Sequence, residues 1–248
     1  MKTTQINNYN IFSDKLSFIN VSDTKKIINT INAHSYIVAK SDNEFKKALE
    51  RSDILLPDGE GIVFMAKMLD GKKIKKIAGA DIHSFLLNLA NENNLKCFYL
   101  GASQSTLDSI KAKHKFGYPK IKLNFHSPPF KPVFSKEDNI KILEKINAFQ
   151  PDILFVGMTA PKQEKWVYTN KDSINAKVIC SVGAVFDFVA ETKKRAPKWV
   201  ISCKMEWLYR SFTAWRLTKR YLYSTPLFLL EMFKIKIKRT KLMNKWML

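Results

Sequence analysis

Between about residues 26 and 190, short apolar runs alternate with longer stretches whose apolar residues recur every three or four positions. The short runs Lys26–Ile31, Ile54–Leu56, Cys97–Leu100, Lys120–Phe125, Ile153–Val156 and Val178–Ser181 read as strands. The stretches Ile82–Leu95, Thr106–Lys115, Lys136–Phe149 and Pro161–Thr169 read as amphipathic helices, and another helical run starts at Ile62. Strand and helix in alternation predict an α/β fold, a Rossmann-like, mostly parallel sheet flanked by helices. Ligands of such sheets sit beyond the carboxyl ends of the strands. The residues that follow each strand are therefore where chemistry is sought.

The pattern changes after Ala190. From Lys193 to Leu248 there are 15 Lys/Arg against 2 Asp/Glu, which accounts for 13 of the 20 excess positive charges of the chain. Trp207, Tyr209, Phe212, Trp215, Tyr221 and Tyr223 are interspersed among them. Two helical stretches are expected, Lys198–Phe212 and a longer one from Trp215 that pauses at Pro226. The expected organisation is a catalytic α/β domain over residues 1–195 and a basic helical C-terminal segment over 196–248.

Composition narrows the class. With 46% hydrophobic residues, 8 Gly and 9 Pro in 248, the chain is neither fibrous nor disordered. A net charge of +20 predicts a polyanionic partner: nucleic acid, nucleotide phosphates or an acidic membrane surface. Cys97, Cys180 and Cys203 are odd in number and widely spaced, as in a reducing compartment. No signal peptide is visible at Met1–Asn8, and the apolar patch Pro226–Leu230 is stopped by Glu231. A protein of the reducing cytosol that is not integral in the membrane is expected.

Four strand ends carry candidate chemistry. Ile54–Leu56 runs into Pro57-Asp58-Gly59-Glu60-Gly61, where Asp58 is either a helix N-cap or a carboxylate placed to take a proton from a hydroxyl. Gly59 and Gly61 would let a substrate approach the backbone. The first strand ends in Asn29-Thr30-Ile31-Asn32-Ala33-His34-Ser35, a crowd of short polar side chains that capping explains in part. Ile153–Val156 leads to Gly157 and then Pro161-Lys162-Gln163-Glu164. A helix start there favours phosphate, Lys162 adds charge, and Gln163 can read a base or sugar edge; Gln163 and Glu164 are equally ordinary first-turn residues. Val178–Ser181 leads to Gly183, Phe186-Asp187 and Lys193-Lys194-Arg195. There Arg195 is a partner for Asp187, a phosphate ligand by its planar fork, or part of a solvated run. The dinucleotide, P-loop, DxD and GxSxG signatures are absent, so neither a metal nor a cofactor is called for.

Taken in order, these segments resemble one family, the WecG/TagA/CpsF glycosyltransferases (glycosyltransferase family 26). The resemblance rests on Thr30-Ile31-Asn32-Ala33, Leu56–Val63, Ile77–Asp81, Phe98–Gly101, Pro151–Gly157, Pro161–Glu164, Gly183, Phe186-Asp187, Lys194–Trp199 and Glu206–Arg210, and covers roughly residues 26 to 223. It implies an inverting, metal-independent bacterial enzyme that moves a sugar, of N-acetylmannosamine type or a related hexose, from a UDP-sugar. The implied acceptor is a polyprenyl-diphosphate-linked saccharide, on the way to teichoic acid, capsule or exopolysaccharide. It also implies Asp58 as base, Thr30, Asn32 and Gly59 in the pocket beside it, and Gln163 on the nucleotide side. Lys76, Arg195, Arg210, Arg216 and Arg220 would meet the diphosphate. Lys76 stands where the family often has Arg, a point charge in place of a bidentate fork, and Trp215 stands where many members have Pro.

The partners expected are therefore the UDP-sugar donor, the lipid-linked acceptor and an anionic membrane surface, with self-association into a homo-oligomer left open and no nucleic acid. If Trp215–Tyr223 is helical, Arg216, Lys219, Arg220 and Tyr223 share a face, and Lys234, Lys238, Lys241 and Lys245 form a second stripe. Leu222, Leu229, Leu230, Phe233 and Ile237 would face the acyl boundary. The rivals are a basic nucleic-acid binder and a non-catalytic peripheral scaffold. Charge gathered in one terminal segment argues against the first, and UDP release from a donor sugar separates the second.

Overall fold

The computed structural model describes residues 1–190, Pro197, Val200, Cys203, Tyr209 and 215–246, without the side chains of 215–217, 219, 221 and 241–246. Its strands are β1 (Thr3–Ile6), β2 (Tyr9–Phe12), β3 (Lys26–Ile31), β4 (Ile54–Pro57), β5 (Lys96–Gly101), β6 (Lys122–His126), β7 (Ile153–Gly157) and β8 (Val178–Ser181). Its helices are α1 (Ala33–Ser41), α2 (Asn43–Glu50), α3 (Glu60–Asp70), α4 (Gly79–Glu92), α5 (Gln104–Gly117), α6 (Lys136–Phe149), α7 (Lys162–Asn170), α8 (Val185–Val189) and α9 (Trp215–Trp246).

One sheet holds all eight strands in the order β1-β2-β4-β3-β8-β7-β5-β6. Only β1, paired with β2, is antiparallel. The six strands expected from the sequence are present with ends moved by a residue or two, and the β1–β2 hairpin extends the sheet beyond them. Side chains alternate across the sheet. On one face Ile28, Leu56, Tyr99, Phe155 and Cys180 pack with Ile82 and Leu86 of α4, Leu107 and Ile110 of α5 and Phe186 of α8. On the other, Leu154, Val156 and Ile179 meet α6 and α7 through Ile142, Ile146, Trp166 and Val167. Towards β1, Ile31 and Leu55 meet Tyr36 of α1, Phe45 of α2, Met65 of α3 and two residues of α9, Phe228 and Met232.

Helix α9 runs through Pro226 without the expected pause. It lies along α1 and α3 and points the same way. Phe228 meets Tyr36 edge-on at 5.4 Å, Glu231 pairs with Lys40 at 2.5 Å, and Arg239 reaches Asp70 at the far end of α3. Ser224, Phe228 and Met232, spaced by four, are its buried stripe. Leu222, Leu230, Phe233 and Ile237 are all more than half exposed and lie on the opposite side of the helix. The expected helix Lys198–Phe212 falls outside the described residues.

Two features inside the body fix how the sheet's ends are shaped. A Cβ on Gly157 would stand 2.5 Å from the Phe186 ring, so the glycine at the end of β7 is demanded by α8 packing as well as by the exit from the strand. Tyr99 of β5 holds His83 and His114 through its hydroxyl, each at 2.8 Å, in a buried chain that crosses from α4 to α5.

Candidate active site at the carboxyl edge of the sheet

Adjacent strands β3 and β8 send their chains to opposite faces, β3 into α1 and β8 into α8. This opens a crevice beyond their carboxyl ends, where doubly wound sheets bind ligands. Thr30, Asn32, Asp58, Gly59 and Gln163 stand at the ends of the strands that flank it.

The β3 and β4 ends are joined directly. Thr30 and Leu56 are in register, and the Asp58 N–H donates to the Ile31 carbonyl at 2.9 Å. Asn32 caps α1, its Oδ1 accepting from the Ser35 N–H at 3.0 Å and from the Ser35 hydroxyl at 3.2 Å. Capping thus accounts for one of the polar residues there, as expected. The N-cap position of α3 falls on Gly59, one residue after Asp58. Gly59 takes φ 106°, and a Cβ there would sit 3.8 Å from Asn32 Cβ, so the turn brings the two loops together. Half-buried Asp58 stands at the head of the crevice. Half-buried Lys76 precedes Ile77, whose N–H donates to the Pro57 carbonyl at 2.9 Å, which ties its segment to the same turn.

On the β7–β8 side, Gln163 and Glu164 begin α7, and both are buried, at 3% and 2% exposure. Gln163 Nε2 donates to Glu164 Oε1 at 2.8 Å. A Cβ on Gly183, at φ 56°, would be 3.5 Å from Gln163 Nε2, so the turn after β8 lies against the amide. Among the described residues Gln163 Oε1, Glu164 Oε2, Ser181 Oγ and His34 Nδ1 are buried without a hydrogen-bond partner. Lys162, expected to add charge for a phosphate, instead donates to the Lys131 carbonyl and lies 3.6 Å over the Phe134 ring.

The two halves are bridged by charge. Burial raises the Glu164 carboxyl to about 7, against the hydrogen bond from Gln163, the backbone N–H of Glu164 and, last, the charge of Arg220 of α9. Burial and then Arg220 press the His34 imidazole down to about 4. One guanidinium is thus sensed by the first turns of both α1 and α7. Sequence patterning missed Glu164 and His34 as members of this group: an acid in a first helical turn is ordinary, and its burial is not written locally. Arg195 and Arg210 lie outside the described residues, as does the side chain of Arg216. From β4 to β7 is three strand spacings, about 14 Å, enough for Asp58 and Gln163 to face opposite ends of an extended ligand. Among the described residues no three His, Cys, Asp or Glu cluster to hold a metal, and no helix is long and apolar enough to cross a membrane.

Comparison with known proteins gives the family. The model of the glycosyl transferase WecG/TagA/CpsF family matches residues 4–242. An N-acetylglucosaminyldiphosphoundecaprenol N-acetyl-beta-D-mannosaminyltransferase of Bacillus subtilis (strain 168) is 31% identical over 209 residues, 84% of this chain and 79% of the relative. The protein of the same name from Staphylococcus aureus (strain MRSA252) is 30% identical over 227 residues, 92% of this chain and 87% of the relative. The chain belongs to the WecG/TagA/CpsF family of glycosyltransferases.

Proposed function

We propose that this glycosyltransferase moves an N-acetylmannosamine-type sugar from a UDP-sugar to N-acetylglucosaminyl-diphosphoundecaprenol or a close relative, with inversion and without a catalytic metal. The names of its relatives support the acceptor and the sugar. The observation that carries the mechanism is the β3–β4 junction, where the turn before α3 holds Asp58 beside Asn32 and Thr30. Asp58 takes the proton of the acceptor hydroxyl as that oxygen attacks the anomeric carbon and UDP leaves from the opposite face. Thr30, Asn32 and Gly59 line the sugar end of the crevice and Gln163 the nucleotide end. Lys76, Arg220 and the other C-terminal arginines (Arg195, Arg210, Arg216) balance the negative charge that grows on the diphosphate.

Helix α9 fits attachment to an anionic bilayer. One stripe of it is committed to the body of the protein, while its outward side offers Leu222, Leu230, Phe233 and Ile237 with exposed Lys234, Lys236 and Lys238 beside them. The exposed lysines can reach lipid headgroups while the apolar side chains enter the acyl boundary. The protein then works as a peripheral enzyme on the inner face of the cell membrane, where the undecaprenyl acceptor is held.

Single-turnover UDP release from UDP-N-acetylmannosamine in the presence of lipid-linked acceptor tests the assignment. Asp58→Asn is expected to slow turnover at least about a hundredfold with UDP affinity nearly unchanged. Turnover near the parent rate removes Asp58 as the base. Activity abolished by EDTA removes the metal-free mechanism.

A further inference from the structure

Gln163 is an amide with two faces, one donor and one acceptor, and either could meet a ligand. The structure has already spent part of this choice. Nε2 donates to Glu164 Oε1 at 2.8 Å, and a Cβ built on Gly183 would stand 3.5 Å from Nε2 and 3.7 Å from Oε1, so the turn after β8 packs on the edge of the whole amide. Oε1 is left buried and without a partner among the described residues. A buried acceptor of this kind is costly until a donor reaches it. Ionised Glu164 can only accept, and it takes the Nε2 hydrogen rather than facing the amide oxygen.

We infer that Glu164 is a positioning residue that locks the Gln163 amide with Oε1 towards the nucleotide, so that the site selects a nucleoside diphosphate presenting a hydrogen-bond donor. The inference rests on the proposal that Gln163 faces the nucleotide. A uracil base presents its imide N3–H, whereas cytosine presents a lone pair at the same ring position, which Oε1 would repel. A ribose hydroxyl is the other donor that a UDP-sugar could offer. With Glu164 replaced by an apolar residue of similar length, the amide is free to turn, and its discrimination goes with it.

Binding of UDP, CDP and 2′-deoxy-UDP to the full chain, measured by calorimetry, tests this for the parent protein and for Gln163→Ala, Glu164→Met, Glu164→Gln and the double variant Gln163→Ala/Glu164→Met. The parent is expected to bind UDP at least about tenfold more tightly than CDP if the donor is the imide, or than 2′-deoxy-UDP if it is a ribose hydroxyl. Glu164→Met is expected to shrink that ratio to about threefold or less, and Glu164→Gln, which keeps an oxygen acceptor, to restore most of it. Because Glu164 acts through Gln163, the double variant should match Gln163→Ala alone. A parent that prefers neither donor-bearing ligand overturns the inference. So does a Glu164→Met variant that keeps the full ratio with its thermal midpoint intact. If Gln163→Ala leaves all three affinities unchanged, the nucleotide-side placement of Gln163 fails first. Should Glu164→Met fail to fold, the parent ratios and Glu164→Gln against Gln163→Ala decide: a Gln variant that loses discrimination as fully as Gln163→Ala overturns the positioning role.

Discussion

Replacing Glu164 by Gln should make the protein more stable at neutral pH and leave it little changed in mild acid. Burial raises the Glu164 carboxyl from an ordinary 4.5 to about 7 in the folded protein. The native state therefore holds a proton that the unfolded chain gives up, and stability is lost as pH rises from the unfolded value through the folded one. At about 1.4 kcal/mol per unit, a displacement from 4.5 to about 7 amounts to about 3 kcal/mol, developed between those two values and constant above them. The parent curve alone will not display it. His34, His83 and His114 are pressed by burial to about 4, 3 and 4, so they contribute stability present above their ordinary 6.5 and lost as pH falls. Their effect opposes that of Glu164 across the same window. They are common to both proteins, however, and cancel in the difference. Urea unfolding at intervals from pH 5 to 8 gives that difference directly. Its expected course is a rise of about 3 kcal/mol in favour of Gln between pH 5 and 7.5. A flat difference over the whole interval would refute the claim that Glu164 is a raised, buried carboxyl.

Gly157→Ala should lower stability by about 1–3 kcal/mol, because its Cβ would meet the Phe186 ring at 2.5 Å; an unchanged thermal midpoint would show that α8 yields freely. Phe228→Ala removes a ring that is 2% exposed and set edge-on to Tyr36, and should cost about 3–5 kcal/mol by chemical denaturation. A loss under 1 kcal/mol would mean that α9 is only loosely attached. Leu230→Glu with Phe233→Glu changes two outward residues, 57% and 54% exposed, so melting should be unaffected while sedimentation with anionic vesicles falls. If the parent protein itself ignores such vesicles at low salt, α9 is not a membrane helix.

The parallel core was legible because strands buried on both faces are written as nearly unbroken apolar runs, as in Ile153–Val156 and Val178–Ser181. β1 escaped notice because Thr3–Ile6 is short and buries only alternate residues, and its identity as a strand comes from pairing with β2. Asp58 was visible as a strand-end carboxylate one residue ahead of the α3 cap position on Gly59, and a cap and a proton acceptor are written with the same residue type. Glu164 was harder still. Its side chain looks like a first-turn acid, and its burial at 2% exposure comes from tertiary packing that the local sequence does not write. The outward stripe of α9 was readable from spacing alone, whereas Phe228 and Met232, equally apolar, declared their inward role only through α1 and α3.

The strand order has a consequence for how the enzyme comes into being. Among the described strands β3 is the third and β8 the last, yet they lie side by side, and the crevice opens between them. The early half, with Asp58 already in its turn, leaves the ribosome long before the strand that completes the pocket. Contacts so distant in sequence close slowly, and until they close the unpaired flank of β3 is exposed to wrong neighbours. Helix α9 is made later still, and its Phe228 and Met232 settle against α1 and α3, elements made well before it. On the proposed mechanism, a nascent chain therefore holds Asp58 in its turn before it can hold a nucleotide opposite it.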